Sequence, residues 1–243
     1  MSDRATVHGV DLVLAAPDDH ESEWIDFGHS RQRLEAAWLR LSPDEPPLNP
    51  RIVGEPGLRK TTLACAAARR LGRPVYVGDY HASSVVLAML QGGVAVLDEG
   101  NRMPERAWAS LAPLMDDRRY VESAVASIKV HAHPEFRLCV TMNADASVYE
   151  LPGYIQSRLK PRIDIVAPPW DLQERILRLK CPVVEDELLT EVFALLKQRV
   201  AEGRHDSTRD MLSLAQYAQK LKQSGVDTPL ARAAAQVLED AVV

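Results

Sequence analysis

Three short stretches hold the side chains best able to do chemistry. In "VGEPGLRKTTLA", residues 53–64, Gly54, Lys60 and Thr61 satisfy the pattern G-x-x-x-x-G-K-S/T, and Arg59 stands where the second glycine belongs. Such a loop works because successive backbone N–H groups point at an anion from the positive end of a helix. The lysine adds a point charge and the Ser/Thr hydroxyl ligates Mg²⁺. The candidate binding residues are therefore Gly54, Glu55, Pro56, Gly57, Leu58, Arg59, Lys60, Thr61 and Thr62. The plain alternative is a glycine-proline turn in front of a Lys-Thr pair.

"VAVLDE" supplies a complement: four apolar residues carrying two acids at their end. Asp98 is placed to hold Mg²⁺ with Thr61, and Glu99 to polarise an attacking water. A buried strand that merely runs into an acidic loop reads the same way in isolation. "CVTMNAD" ends a further apolar strand on Asn143, a candidate for orienting that water; an asparagine opening a turn is the other reading. Two arginines complete the set. Arg209 sits in the first turn of a helix capped by Ser207 and Asp210, where a cation opposes the macrodipole at a cost of about a few tenths of a kcal/mol. Arg158 ends "YIQSRL", either as an ordinary helix-terminal charge or as a finger toward a neighbouring subunit's nucleotide. His131 and His133 share a face of a predicted strand but lack a third ligand nearby, so no metal site is expected there.

The elements that must position these residues follow from apolar periodicity. "VHGVDLVL" (7–14) reads as a short strand, "APDDHESE" as a polar loop, and "SRQRLEAAWLRL" (30–41) as a helix. After the proline-rich loop at 42–50, strands "RIVGE", "RPVYVGD", "VAVLDE", "FRLCVTMN" and "RIDIVA" alternate with helices. Those helices are "KTTLACAAARRLG", "SSVVLAMLQGG", "PERAWASLAPLMDD" and "YIQSRL", and "RRYVESAVASIKVHAH" reads as a hairpin. Alternation of this kind predicts a parallel α/β sheet. Beyond "APPWD" only helical patterns remain: one with Leu188, Leu189, Val192, Leu195, Leu196 and Val200 on a face, then "STRDMLSLAQYAQKL" and "PLARAAAQVLEDAV". The expected organisation is a lead-in strand and helix over 1–48, an α/β core over 49–167 and a helical domain over 168–243.

The 243 residues are 46% apolar and 26% charged, an ordinary globular balance, with a net charge of −5 that argues against nucleic acid as a partner. Three scattered cysteines, Cys65, Cys139 and Cys181, read as reduced buried thiols in a cytoplasmic protein. No charged leader precedes a long apolar core and no apolar run reaches spanning length, so neither a signal peptide nor a membrane span is expected. Trp24, Trp38, Trp108 and Trp170 are spread along the chain as packing residues.

From about Trp24 to Leu221 the chain resembles MoxR-like AAA+ ATPases. The likeness is strongest in "GGVAVLDEGNRMPERAWASLAPLMDDRRYVESAVASIKVHAHPEFRLCVTMNADASVYELPGYIQSRLKPRI". The resemblance implies an AAA+ P-loop parallel-sheet core with a C-terminal helical lid, assembled as a homo-oligomeric ring, usually a hexamer. It implies ATP with Mg²⁺ as cofactor, hydrolysis that remodels a client protein, and a partner bearing a von Willebrand factor A domain. By position, Lys60 and Thr61 fall on Walker A, Asp98 and Glu99 on Walker B, Asn143 on sensor 1, Arg158 on the arginine finger and Arg209 on sensor 2. The chain departs from the pattern in two places. Position 59 is arginine, and only 38 positions separate Lys60 from Asp98, because a segment facing the ring's interior in similar proteins is missing. Those departures support an alternative: a nucleotide-binding switch or scaffold that hydrolyses little. A nucleic-acid-dependent ATPase is a third reading, weakened by the acidic balance.

Overall fold

The computed structural model describes residues 4–7, 10–13, 16–18, 24–43, 45–78, 82–123, 128–144, 151–204 and 206–238. The chain forms two compact units, one of residues 1–54 with 59–165 and the other of 55–58 with 166–243. The short segment 55–58, the middle of the predicted phosphate loop, groups with the helical unit.

The first unit opens with an antiparallel pair, β1 (Arg4–Val7) and β2 (Val10–Val13), where the sequence predicted one strand. Residues 8 and 9 between them lie outside the described set. Helix α1 (Ser30–Ala37) stops four residues short of its predicted end, closed by Trp38. The indole of Trp38 is buried and donates to the Leu138 carbonyl at 3.0 Å, which fixes the chain there and turns it out of the helix.

Five strands make the main sheet: β3 (Arg51–Gly54), β4 (Val75–Gly78), β5 (Val94–Leu97), β8 (Arg137–Asn143) and β9 (Arg162–Ile165). Every pairing is parallel, and the order across the sheet is β4-β5-β8-β3-β9. Unbroken apolar runs such as "VAVL" suit this arrangement, because parallel strands are covered on both faces. Helices α2 (Lys60–Arg70), α3 (Ala82–Gln91) and α4 (Glu105–Leu111) and α5 (Gly153–Arg158) complete the layer around the sheet. The pattern read as one helix from Pro104 to Asp117 is shorter: α4 passes into a 3₁₀ turn at Ala112–Leu114, with Pro113 inside that turn. β6 (Tyr120–Ser123) and β7 (Ile128–His131) pair antiparallel as expected, and residues 124–127 between them are outside the described set. His131 ends β7, so His133 lies beyond the strand and the two do not share a strand face. Trp108, Phe136, Leu138, Leu114 and Ile155 are fully buried in the core of this unit.

The second unit contains four described helices where three were predicted: α6 (Trp170–Lys180), α7 (Asp186–Ala201), α8 (Thr208–Gln223) and α9 (Pro229–Val237). Its core joins Leu177, Leu189, Val192, Leu196, Met211 and Leu214. Phe193 is buried in α7, whereas Val200, assigned to the apolar face, is exposed. A buried ion pair, Arg199 with Asp206 at 2.7 Å, ties the end of α7 to the turn before α8.

Candidate nucleotide-binding site

Strand order explains why the chemically active residues meet. β8 lies between β3 and β5, with Gly54 opposite Asn143 on one side and Leu97 opposite Val140 on the other. The carboxyl ends of three strands therefore deliver Gly54, Asn143 and Asp98 side by side. Such ends are where open α/β sheets bind ligands.

Lys60 begins α2 and is almost wholly buried, at 7% exposure. Its Nζ donates to the Gly54 carbonyl at 3.0 Å and to Oδ1 of Asn143 at 2.8 Å. Thr61 Oγ1 donates to Oδ1 of Asp98 at 2.9 Å. The same carboxylate accepts from the Thr141 hydroxyl, and Thr141 Oγ1 accepts the Glu99 amide at 3.3 Å. Asn101, also buried, accepts the Asn143 amide through Oδ1 at 3.3 Å. Lys60 is thus brought to Asn143 and Thr61 to Asp98 at this end of the sheet. Thr141 and Asn101 were not foreseen. Thr141 had a readable signal: it is a lone hydroxyl in the apolar run "LCVTM", two residues before Asn143 and so on the same face of β8.

The remaining predicted residues are placed differently. Glu99 takes a left-handed conformation, φ 51°, and pairs with Arg102 at 3.0 Å. Arg158 donates to the Tyr154 carbonyl at 2.7 Å and lies 3.5 Å from Asp116; its Nε is buried with no acceptor among the described residues. Arg209 is exposed in the first turn of α8, behind the capping box of Ser207 and Asp210. Glu55 and Pro56 are exposed, and Leu58 is buried. Gly57 has φ +79°, and a Cβ there would fall 2.6 Å from Ser207 Oγ, so only glycine fits.

Arg59 is the non-conforming position of the loop, and its backbone is left-handed, φ 57° and ψ 37°. Glycine adopts that region freely, whereas a side chain costs about 1–2 kcal/mol there. Its guanidinium makes no hydrogen bond or ion pair among the described residues, and partial burial lowers its pKa.

The donor set fits a phosphate with a hard divalent metal. α2 starts without a side-chain cap, and the amides of Thr61 and Thr62 have no backbone acceptor among the described residues. Uncapped amides attract an anion, Lys60 adds a cation, and the Thr61 hydroxyl beside the Asp98 carboxylate is an oxygen pair of the kind Mg²⁺ selects. No cluster of three His, Cys, Asp or Glu side chains suited to a metal occurs among the described residues.

Residues 77–159 match the family model for an AAA domain of the dynein-related subfamily. The solved structure of the Thermotoga maritima RuvB Holliday junction branch migration motor is similar at a TM-score of 0.57 and 15% identity, over 88% of this chain and 69% of that one. A substituted variant of that motor aligns at a TM-score of 0.60 and 15% identity, covering 86% of this chain and 69% of its own. The fold is that of the AAA+ ATPases. No curated protein matches the sequence. In this sheet β3 runs into the loop before Lys60, β5 ends just before Asp98 and Glu99, and β8 ends at Asn143. No helix among the described residues is long and apolar enough to cross a membrane.

Proposed function

We propose that this chain binds ATP with Mg²⁺ and hydrolyses it as a MoxR-like AAA+ ATPase, remodelling or activating a client protein in the cytoplasm. The observation that carries the reading is the pair of contacts at the sheet's carboxyl end, Lys60 to Asn143 at 2.8 Å and Thr61 to Asp98 at 2.9 Å. When bound, Mg·ATP supplies the phosphoanhydride to be cleaved and a metal that neutralises its charge. Lys60 would then give up the Gly54 carbonyl to neutralise phosphate charge. Thr61 and Asp98 would hold the metal. Glu99 leaves Arg102 and accepts a proton from water, which Asn143 orients. Arg209 is assigned to the nucleotide within the chain and Arg158 to the neighbouring subunit's nucleotide in a homo-oligomeric ring, a hexamer by resemblance. A partner with a von Willebrand factor A domain belongs to the same reading.

A second reading, a nucleotide-dependent switch with little turnover, is favoured by two observations: Glu99 is held by Arg102, and Arg59 occupies a left-handed position. Turnover of the purified protein, measured against its concentration with nucleotide binding in parallel, separates the two. A rate per subunit that rises with concentration supports the ATPase; binding without turnover at any concentration supports the switch. The trans role of Arg158 is tested by mixing Arg158→Ala subunits with Lys60→Ala subunits. Mixed interfaces contain intact sites, so activity should return; mixtures that assemble yet stay as inactive as their parents remove Arg158 from the mechanism.

A further inference from the structure

Opposite the nucleotide loop, at the amino end of the sheet, four arginines distant in sequence come together. Arg137 begins β8, Arg73 precedes β4, Arg119 precedes β6, and Arg40 follows α1. Arg40, Arg73 and Arg137 turn to one carboxylate, Glu135: Arg40 at 3.1 Å, Arg137 at 4.0 Å, and Arg73 in close contact. Arg119 has no ion pair among the described residues; its Nη2 donates to the Phe136 carbonyl at 3.1 Å, and its guanidinium stacks on the Phe136 ring at 5.3 Å. Arg73 Nε and Arg119 Nη1 are buried without an acceptor among the described residues. The guanidiniums repel one another: those of Arg40, Arg73 and Arg119 add to burial in pushing the Arg137 pKa down to about 10.

Beside this cluster is a cleft of about 250 Å³ between Arg40 and Arg119, walled by Pro46, Pro47, Ala132 and Pro134. Glu45 and Asp117 also border it, and Glu45 is engaged, its Oε2 accepting the Leu41 amide at 3.2 Å. Arg119 is held at φ 50°, a left-handed position that disfavours any side chain. Strained positions of this kind gather at ligand clamps. Leu39, Leu41 and Leu48, on the same stretch of chain as Arg40, are exposed at 62%, 81% and 55%.

We propose that this cleft docks an acidic segment of a partner protein, seating a carboxylate between Arg40 and Arg119 while its apolar residues cover the exposed leucines. Charge complementarity argues for this occupant. The chain carries a net charge of −5, yet here three guanidiniums share the Glu135 carboxylate and a fourth, that of Arg119, has no ion pair among the described residues. A carboxylate takes two parallel N–H donors from a guanidinium in a geometry a lysine does not offer. Apolar side chains beside the charges would exclude water and strengthen the pairing, as at the centre of protein interfaces.

The test uses the full chain and a dye-labelled peptide of alternating glutamate and leucine, followed by fluorescence anisotropy. Thermal melting checks that each variant is folded. Wild type should bind, with affinity falling steeply as salt rises. Arg40→Ala and Arg119→Ala should each weaken binding by about tenfold, Arg119→Lys should recover only part of it, and Lys60→Ala should bind like wild type. Equal binding by wild type and both alanine variants would overturn the proposal, as would no binding at all. Two other results would also overturn it by naming a different occupant. One is protection of wild type but not Arg119→Ala by inorganic phosphate with no peptide binding, which makes this a free-anion site. The other is concentration-dependent self-association that Arg119→Ala abolishes and the peptide does not affect, which makes it a contact between copies of this chain.

Discussion

At the carboxyl end of the sheet, Lys60 donates to Gly54 and Asn143, and Thr61 and Thr141 both donate to Asp98, so these three side-chain donors each have an acceptor on a neighbouring strand or loop. At the amino end, Arg40, Arg73 and Arg137 share Glu135, and two guanidinium nitrogens find no acceptor among the described residues. The first arrangement is poised: its bonds involve groups that a phosphate or a metal can replace one for one. The second holds like charges together, with Arg137 anchored by backbone carbonyls of Trp38, Pro134 and Phe136. Under the proposed function, groups at the first end govern chemistry, whereas the anchoring arginine at the second governs how the core is closed.

Substitutions that separate activity from stability put this contrast to the strongest test. Glu99→Gln should lower ATP turnover by about 10²–10⁴-fold while ATP binding and melting temperature barely change, because Glu99 is partly exposed and its only ion pair among the described residues is to the exposed Arg102. Turnover that survives in this variant would move the general base elsewhere. Arg137→Ala should do the reverse. It leaves buried carbonyls without their donor and costs about 1–3 kcal/mol of stability, read by urea titration, while turnover per folded molecule stays at the wild-type value. A fall in turnover that exceeds the loss of folded protein would couple the two ends of the sheet.

Arg59→Gly sharpens the same contrast within the loop. Removing a side chain from a left-handed position relieves about 1–2 kcal/mol; because Arg59 is already left-handed without nucleotide, the gain should appear as stability in urea titration, while ATP affinity, measured with a fluorescent analogue, should change little. Markedly weaker binding would make Arg59 a phosphate ligand. The smallest effect concerns Cys65, whose pKa burial pushes up from 9.0 to about 11. The folded state then holds the thiol proton more tightly than the unfolded chain, so this contribution to stability is complete below pH 9 and is lost as pH rises toward 11. Between pH 9 and 10 the stability of wild type should decline by less than about 1.4 kcal/mol per unit from this thiol, and Cys65→Ala should show a shallower decline in the same denaturation series.

Much of the core was legible because its strands are short apolar runs between turn residues, and each of the five predicted strands is present in the sheet. Helix α6 escaped notice because "APPW" reads as a break. Yet Pro168 and Pro169 only precede its first turn, where proline is tolerated, and Leu172, Ile176 and Leu177 continue at helical spacing behind them. The early stop of α1 was illegible for a different reason. Leu41 continues the apolar spacing, but the fold buries Trp38 and leaves Leu39 and Leu41 exposed.

By itself, the sequence determined the local order: an uncapped helix after a glycine turn, two acids after a buried strand, and an asparagine at the end of another. These follow from backbone preferences and apolar periodicity, which act over a few residues. Only the tertiary structure decided which of them touch. Placing β8 between β3 and β5 brings Asn143 to Lys60 across 83 positions and Thr141 to Asp98 across 43. The same placement carries Arg137 to Trp38 across 99 positions and collects the arginines at the opposite end. Strand order is set by the burial of whole faces, a property of the assembled sheet that no single stretch of the chain contains.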